Sequence, residues 1–181
     1  RGGAAIVASA LGNFGGVDVV VSNAGIFGSA MFEDLTQDQW RRMLEVHLDG
    51  GFYLAQPAYR AMRSAGRGGR FVFVSSSAGM FGQPMEAHYA AAKAGVMALT
   101  RCSAIEAVEY GVRINAVSPS IARHKFLEKS ADAALLDRLS SDEAFGRAAE
   151  PWEIATTIAY LASDYSSYLT GEVISVSSQR A

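Results

Sequence analysis

Apolar positions along the chain follow two alternating periods. Four short runs, residues 17–22, 70–75, 112–117 and 173–176, are rich in β-branched and aromatic residues and are bounded by turn formers, which predicts strands. The first two are nearly all apolar, as expected of strands covered on both faces of a parallel sheet. Between the runs the period lengthens to that of helices. One predicted helix starts near Thr36, which can cap it together with Gln39, and runs toward Arg63. A second spans about 87–109 and stops at Gly111, and a third follows Pro151, a favourable first helical residue, to Ala162. Each gap between strands is long enough for a crossover helix. The pattern therefore predicts an α/β fold with a mostly parallel sheet.

One stretch, residues 122–149, interrupts the alternation. It is helical by propensity (Phe126, Leu127, Leu135, Leu136, Leu139) but far longer than an ordinary connection, and reads as a substrate lid over the edge of the sheet. Two glycine clusters, residues 12–16 and 66–69, come after a helix and before a strand. A phosphate-binding turn has the reverse order, so both are expected to be plain helix-to-strand turns. No repeat or linker divides the chain, and residues 1–181 read as a single domain.

Composition narrows the class. Half of the residues are hydrophobic, and Lys+Arg 16 against Asp+Glu 18 gives a net charge of −2, with no basic surplus to attract nucleic acid. No apolar run is long enough to span a membrane, and the first ten residues lack a cleavable-signal layout. The single cysteine, Cys102, cannot form an internal disulfide, which suits a cytoplasmic protein. The three histidines are too dispersed to suggest a metal site by spacing, so no metal is expected.

Candidate chemistry centres on Tyr89 and Lys93, four residues apart and hence on one helical face. A phenol of pKa about 10 is a poor acid–base catalyst at neutral pH, and a neighbouring ammonium stabilises its phenolate. Ser76, at the end of the 70–75 run, can bring a hydroxyl beside that phenol over one substrate oxygen. A Ser-rich cap and a surface Tyr–Lys pair would leave the same trace in sequence.

With these residues in place the chain resembles the short-chain dehydrogenase/reductases along nearly its whole length. Asn23-Ala24-Gly25 looks like the family's Asn-Ala-Gly signature, and Ser76, Tyr89 and Lys93 match its catalytic serine, tyrosine and lysine. Residues 113–119 look like the approach to its Pro-Gly motif, and 161–164 and 169–172 resemble its C-terminal segments. The resemblance implies the C-terminal part of a Rossmann-type, doubly wound parallel sheet in three α/β/α layers. It also implies NAD- or NADP-dependent interconversion of a secondary alcohol and a ketone. In that scheme Tyr89 passes the proton, Ser76 holds the substrate oxygen, and Lys93 lowers the tyrosine pKa and binds the nicotinamide ribose. Asn23, Ala24, Gly25, Pro119 and Ala122 would line the cofactor cleft, with Tyr89 and Lys93 also contacting the nicotinamide. A homodimer or homotetramer is implied as well, through the apolar-rich helices near 36–63 and 87–109.

Three departures stand out. The family's opening strand, phosphate-binding turn and next two strands, roughly 70–80 residues, have no counterpart here, so a fragment is expected. The family's fourth catalytic residue, an Asn that orients a water, is matched by His47 in Val46-His47-Leu48-Asp49-Gly50. An imidazole offers one donor and one acceptor and so can substitute, although a packed helix histidine reads the same way. Similar Val-His-Leu-x-Gly stretches occur in hydroxyacyl-CoA and steroid dehydrogenase branches, pointing to a 3-oxoacyl/hydroxyacyl-CoA or steroid-like substrate. Finally, Pro119-Ser120 replaces Pro-Gly, and His124 stands where a Thr is usual. A non-catalytic member acting only through its oligomer interface is the alternative.

Overall fold

A computed structural model describes residues 2–124, 127 and 132–178. Its core is a four-stranded, all-parallel sheet in the order β1 (Val19–Ser22), β2 (Gly69–Val74), β3 (Val112–Pro119), β4 (Val173–Val176). All four strands lie on the runs expected from the pattern. Alternation along β2 and β3 sends Phe71, Phe73, Ile114 and Ala116 to one face, where α1 (Gly2–Phe14), α3 (Gly50–Ala65) and α5 (Ala87–Ala107) supply Val7, Ala58, Met62, Val96 and Ala104. Val72 and Val117 point to the other face and pack against Ile154 and Leu161 of α7 (Pro151–Ala162). The three expected layers are therefore present over the two central strands.

The first run departs from expectation. Val20 is buried, but Val19 and Val21 remain 45% and 41% exposed, so β1 is covered on one face only. Within the described residues β1 is the outermost of the four strands, and α7 packs over β2 and β3 and not over it. An all-apolar run marks a strand, but it does not say whether both faces find a helix.

The long helix predicted from Thr36 forms as α2 (Gln37–Leu44), a π-helical turn (Glu45–Asp49) and α3 in unbroken succession. Thr36 and Gln39 cap it reciprocally, each side chain accepting from the other's backbone N–H. The π turn, in which Gly50 N–H donates to the Glu45 carbonyl five residues back, was not legible in the pattern. After α5 a 3-10 turn (Val108–Tyr110) ends at Gly111, whose φ of 67° is the left-handed conformation that stops a helix cheaply only at glycine. Both glycine clusters lie at helix-to-strand junctions, as expected, with residues 12–14 forming the last turn of α1 and Gly69 opening β2. Within 122–149 the structure shows α6 (Ala133–Ser141), with Leu136 buried and Leu135 and Leu139 half-buried. Phe126 lies outside the described residues.

The C-terminal segment is held to the sheet by polar side chains of β3. Arg113 donates from Nη1 to the carbonyl and hydroxyl of Ser166 at 2.8 and 2.9 Å, and from Nη2 to the Ser163 carbonyl at 2.8 Å. Asn115 donates to the Leu169 carbonyl and accepts from Glu172 N–H, while Thr170 Oγ1 accepts from Ile114 N–H. One arginine thus satisfies carbonyls that the chain would otherwise bury without partners as it turns from α7 toward β4. Replacing it by an apolar chain of similar length removes the donors and strands the acceptors. Arg113→Met is expected to lower unfolding free energy by about 2–4 kcal/mol in urea titration.

Candidate active site

In a parallel sheet every strand ends at the same edge, and that edge gathers the predicted residues. Asn23, Ala24 and Gly25 follow β1 in an exposed loop, Ser76 follows β2, and Pro119 closes β3. Ser77 N–H donates to the Pro119 carbonyl at 2.9 Å, joining two of these strand ends. Ala122 lies at the neck of the 122–149 insertion, where it bridges to Ala149. Lys93 and Tyr89 enter from α5 and His47 from the π turn.

Gly79 sets the distance between Ser76 and the helix. It lies in the short helix α4 (Ala78–Phe81), and a Cβ there would come within 2.8 Å of Ala94 N and 2.9 Å of Lys93 C. Only a glycine lets α4 rest directly on the α5 backbone, one turn beyond Tyr89. Ser75 reinforces the junction by donating from its hydroxyl to the Lys93 carbonyl at 2.9 Å.

The phenol of Tyr89 stands among aromatic and basic groups. His47 meets its ring edge-on at a centroid distance of 5.3 Å, Phe27 does so at 6.1 Å, and Lys93 Nζ is 5.6 Å from the ring centre. Burial raises the phenol above its ordinary value, the Ser76 hydroxyl pulls it back by hydrogen bonding, and Glu86 raises it further. The resemblance implied a tyrosine drawn downward by Lys93. Here burial outweighs the Ser76 hydrogen bond, and the net shift of the phenol is upward.

Lys93 is buried, and its Nζ donates to the Val74 carbonyl at the end of β2, 2.8 Å away. Desolvation brings its ammonium down to about 8, so it stays mostly charged at pH 7. An ammonium has three N–H donors, and one is taken by Val74. The remaining two suit the vicinal hydroxyls of a ribose laid across the strand ends. The exposed Asn23–Gly25 turn next to them leaves backbone approachable, so the residues present fit a nicotinamide nucleotide.

His47 is 6% exposed. Its Nε2 lies 2.8 Å from the Ile26 carbonyl and 3.2 Å from the Ile26 N–H, so the imidazole grips the loop that carries Asn23, Ala24 and Gly25. Gly25 rests on the ring: a Cβ there would fall 2.6 Å from His47 Cε1. The shorter contact assigns the proton to Nε2, leaving Nδ1 as a buried acceptor with no partner among the described residues. Burial, followed by the positive charge of Lys93, lowers the imidazole to about 4. Residue pattern alone missed three participants: the Ile26 backbone, the Val74 carbonyl, and His88. This second buried histidine neighbours Tyr89 in sequence, adds to the lowering of His47, and is itself pushed down by burial.

A histidine neutral when folded but protonated near pH 6.5 when unfolded makes the unfolded chain bind more protons as pH falls. Stability is therefore complete above about pH 6.5 and is lost progressively toward pH 4. The loss attributable to His47 is roughly 3 kcal/mol at most. His47→Asn is expected to flatten this acid limb in urea titrations repeated across the range.

The chain resembles proteins whose names match this geometry. A family profile described as enoyl-(acyl carrier protein) reductase matches residues 3–178. A crystal structure of a short chain dehydrogenase from Mycobacterium smegmatis superposes with a TM-score of 0.83 at 51% identity, covering 99% of this chain and 66% of that one. The (5R,7aS)-5-hydroxy-7a-methyl-1-oxo-2,3,5,6,7,7a-hexahydro-1H-indene-carboxyl-CoA reductase of Mycobacterium tuberculosis is 62% identical over 97% of this chain and 67% of its own length. Acetoacetyl-CoA reductase of Shinella zoogloeoides is 36% identical over 93% of this chain and 70% of its own. The chain thus spans about two thirds of the relatives it matches. On its sequence, its sheet and the residues gathered at the strand ends, it belongs to the short-chain dehydrogenase/reductase family.

Proposed function

We propose that this chain is the catalytic part of an NAD- or NADP-dependent reductase that converts a ketone to a secondary alcohol. The observation that carries the reading is the meeting of Ser76, Tyr89 and Lys93 at one strand edge. A neutral phenol is a proton donor, which suits reduction. Asn23–Gly25, Pro119 and Ala122 would hold a reduced nicotinamide, which when bound would supply the hydride. Ser76 orients the substrate carbonyl, Tyr89 gives its proton to the oxygen that becomes the alcohol, and Lys93 stabilises the phenolate left behind. His47 holds the Asn23–Ile26 loop, and its bare Nδ1 suits a water that returns the proton from solvent.

For the substrate we favour a CoA thioester carrying an oxo group on a short chain or a fused ring. The names of the mycobacterial and Shinella relatives support this class. The insertion 122–149 is read as the cover over that substrate. No described helix is long and apolar enough to cross a membrane, and we place the enzyme in the cytoplasm. Following nicotinamide absorbance with acetoacetyl-CoA and bicyclic oxoacyl-CoA esters, using the full-length protein, tests the reading. Absence of turnover on every ketone offered would refute it.

Two variants test the roles. Tyr89→Phe is expected to lower kcat by at least about a hundredfold while cofactor affinity changes little. His47→Ala is expected to slow turnover, whereas His47→Asn largely preserves it; equal rates for both would reduce His47 to packing.

We also propose a homodimer or homotetramer. Met43, Val96 and Met97 are consumed in the chain's own core, but Trp40, Phe52, Tyr53 and Ile105 stay exposed on the same helices. Light scattering at micromolar concentration is expected to give a dimer or tetramer mass, and a monomer would reject it.

A further inference from the structure

Glu143 is a buried carboxylate that the chemistry above does not use. It is 6% exposed and lies in the turn that follows α6. Its Oε2 accepts from two hydroxyls at 3.0 Å, Ser120 Oγ and Ser178 Oγ. Ser120 immediately follows β3, and Ser178 follows β4 by two residues. One carboxylate oxygen therefore ties together three segments distant in sequence. The backbone repeats the connection: Ser120 N–H donates to Val176 O, Ala149 N–H to Ile121 O, and Arg123 N–H to Ala149 O. A carboxylate is expensive to bury, and two hydroxyl donors on one oxygen are what make it tolerable here. A glycine at position 120 would supply neither the hydroxyl nor the tie.

We propose that Glu143 is a positioning residue: it clasps the loop 119–122 to the base of the 122–149 insertion and to the end of β4, and so holds the wall of the nicotinamide site in place. The functional half of this statement rests on reading Pro119 and Ala122 as cofactor contacts. Ser120, one residue beyond Pro119, transmits the constraint. The carboxylate touches neither the tyrosine nor the lysine, so its effect falls on cofactor binding before it falls on proton transfer.

The test compares Glu143→Leu, which keeps bulk but cannot accept, with Glu143→Gln, whose carbonyl oxygen accepts the same two hydroxyls. Both are made in the full-length enzyme. For the leucine variant the expected result is a rise of about tenfold in the KM for NADH or NADPH with kcat changed less than about twofold. Amide hydrogen exchange at Ser120 and Phe145 is expected to quicken by a similar factor while β2 stays protected. The glutamine variant is expected to match the parent in both measurements. Ser120→Ala with Ser178→Ala removes both donors and gives a second route should the leucine variant fail to fold. Unchanged local exchange in the leucine variant or the double variant overturns the clasp, and so does a glutamine variant as impaired as the leucine one. Faster exchange with unchanged cofactor KM upholds the clasp and overturns the placement of the nicotinamide beside it.

Discussion

The site depends on one buried ammonium. Lys93 leaves the core side of α5, crosses to the end of β2 and donates to the Val74 carbonyl. That bond, with the reciprocal one from Ser75 to the Lys93 carbonyl, joins the strand carrying Ser76 to the helix carrying Tyr89. A charge in so dry a place needs a polar partner, and the Val74 carbonyl supplies one and fixes where Nζ lies. The junction therefore has little freedom to slide, and Gly79 removes the remaining slack by letting α4 touch the helix backbone. Hydroxyl, phenol and ammonium are held in register before any ligand arrives.

The same dryness governs protonation. Tyr89 is raised, while Lys93, His47 and His88 are all lowered, and burial is the leading cause in each case. Every group in the cluster is thereby biased toward its neutral form, Lys93 least completely. A neutral phenol beside a mostly charged lysine is poised to give up a proton once the substrate oxygen gains negative charge. The neutral imidazoles avoid placing further positive charges beside that lysine.

Holding the loops calls for different chemistry from holding the core. Apolar packing on both faces of β2 and β3 is enough to seat the strands. The loops are instead tied by single polar side chains: at the strand ends that carry the site, His47 to Ile26 and Glu143 to Ser120 and Ser178; at the opposite edge of the sheet, Arg113 to 163–166 and Asn115 to 169–172. Loops bury little apolar area, so directional bonds must define their shape.

Sequence alone determined the strands, the Thr36 cap, the Gly111 stop and the long helices, because each follows from periodicity or from one residue's backbone preference. It also singled out Ser76, Tyr89 and Lys93, whose spacing places them on one helix and one strand end. It did not show that α7 comes to rest over β2 and β3 and leaves one face of β1 uncovered among the described residues. Only the tertiary structure decided which way the Tyr89 phenol shifts from its ordinary value, because burial is a property of everything packed around a group. The π turn under His47, the grip of that histidine on Ile26 and the meeting of Glu143 with two serines were likewise invisible in sequence. The last two join residues 21 to 35 positions apart, which no local pattern encodes, and the π turn, though its bond spans only five residues, leaves no signature in the apolar period.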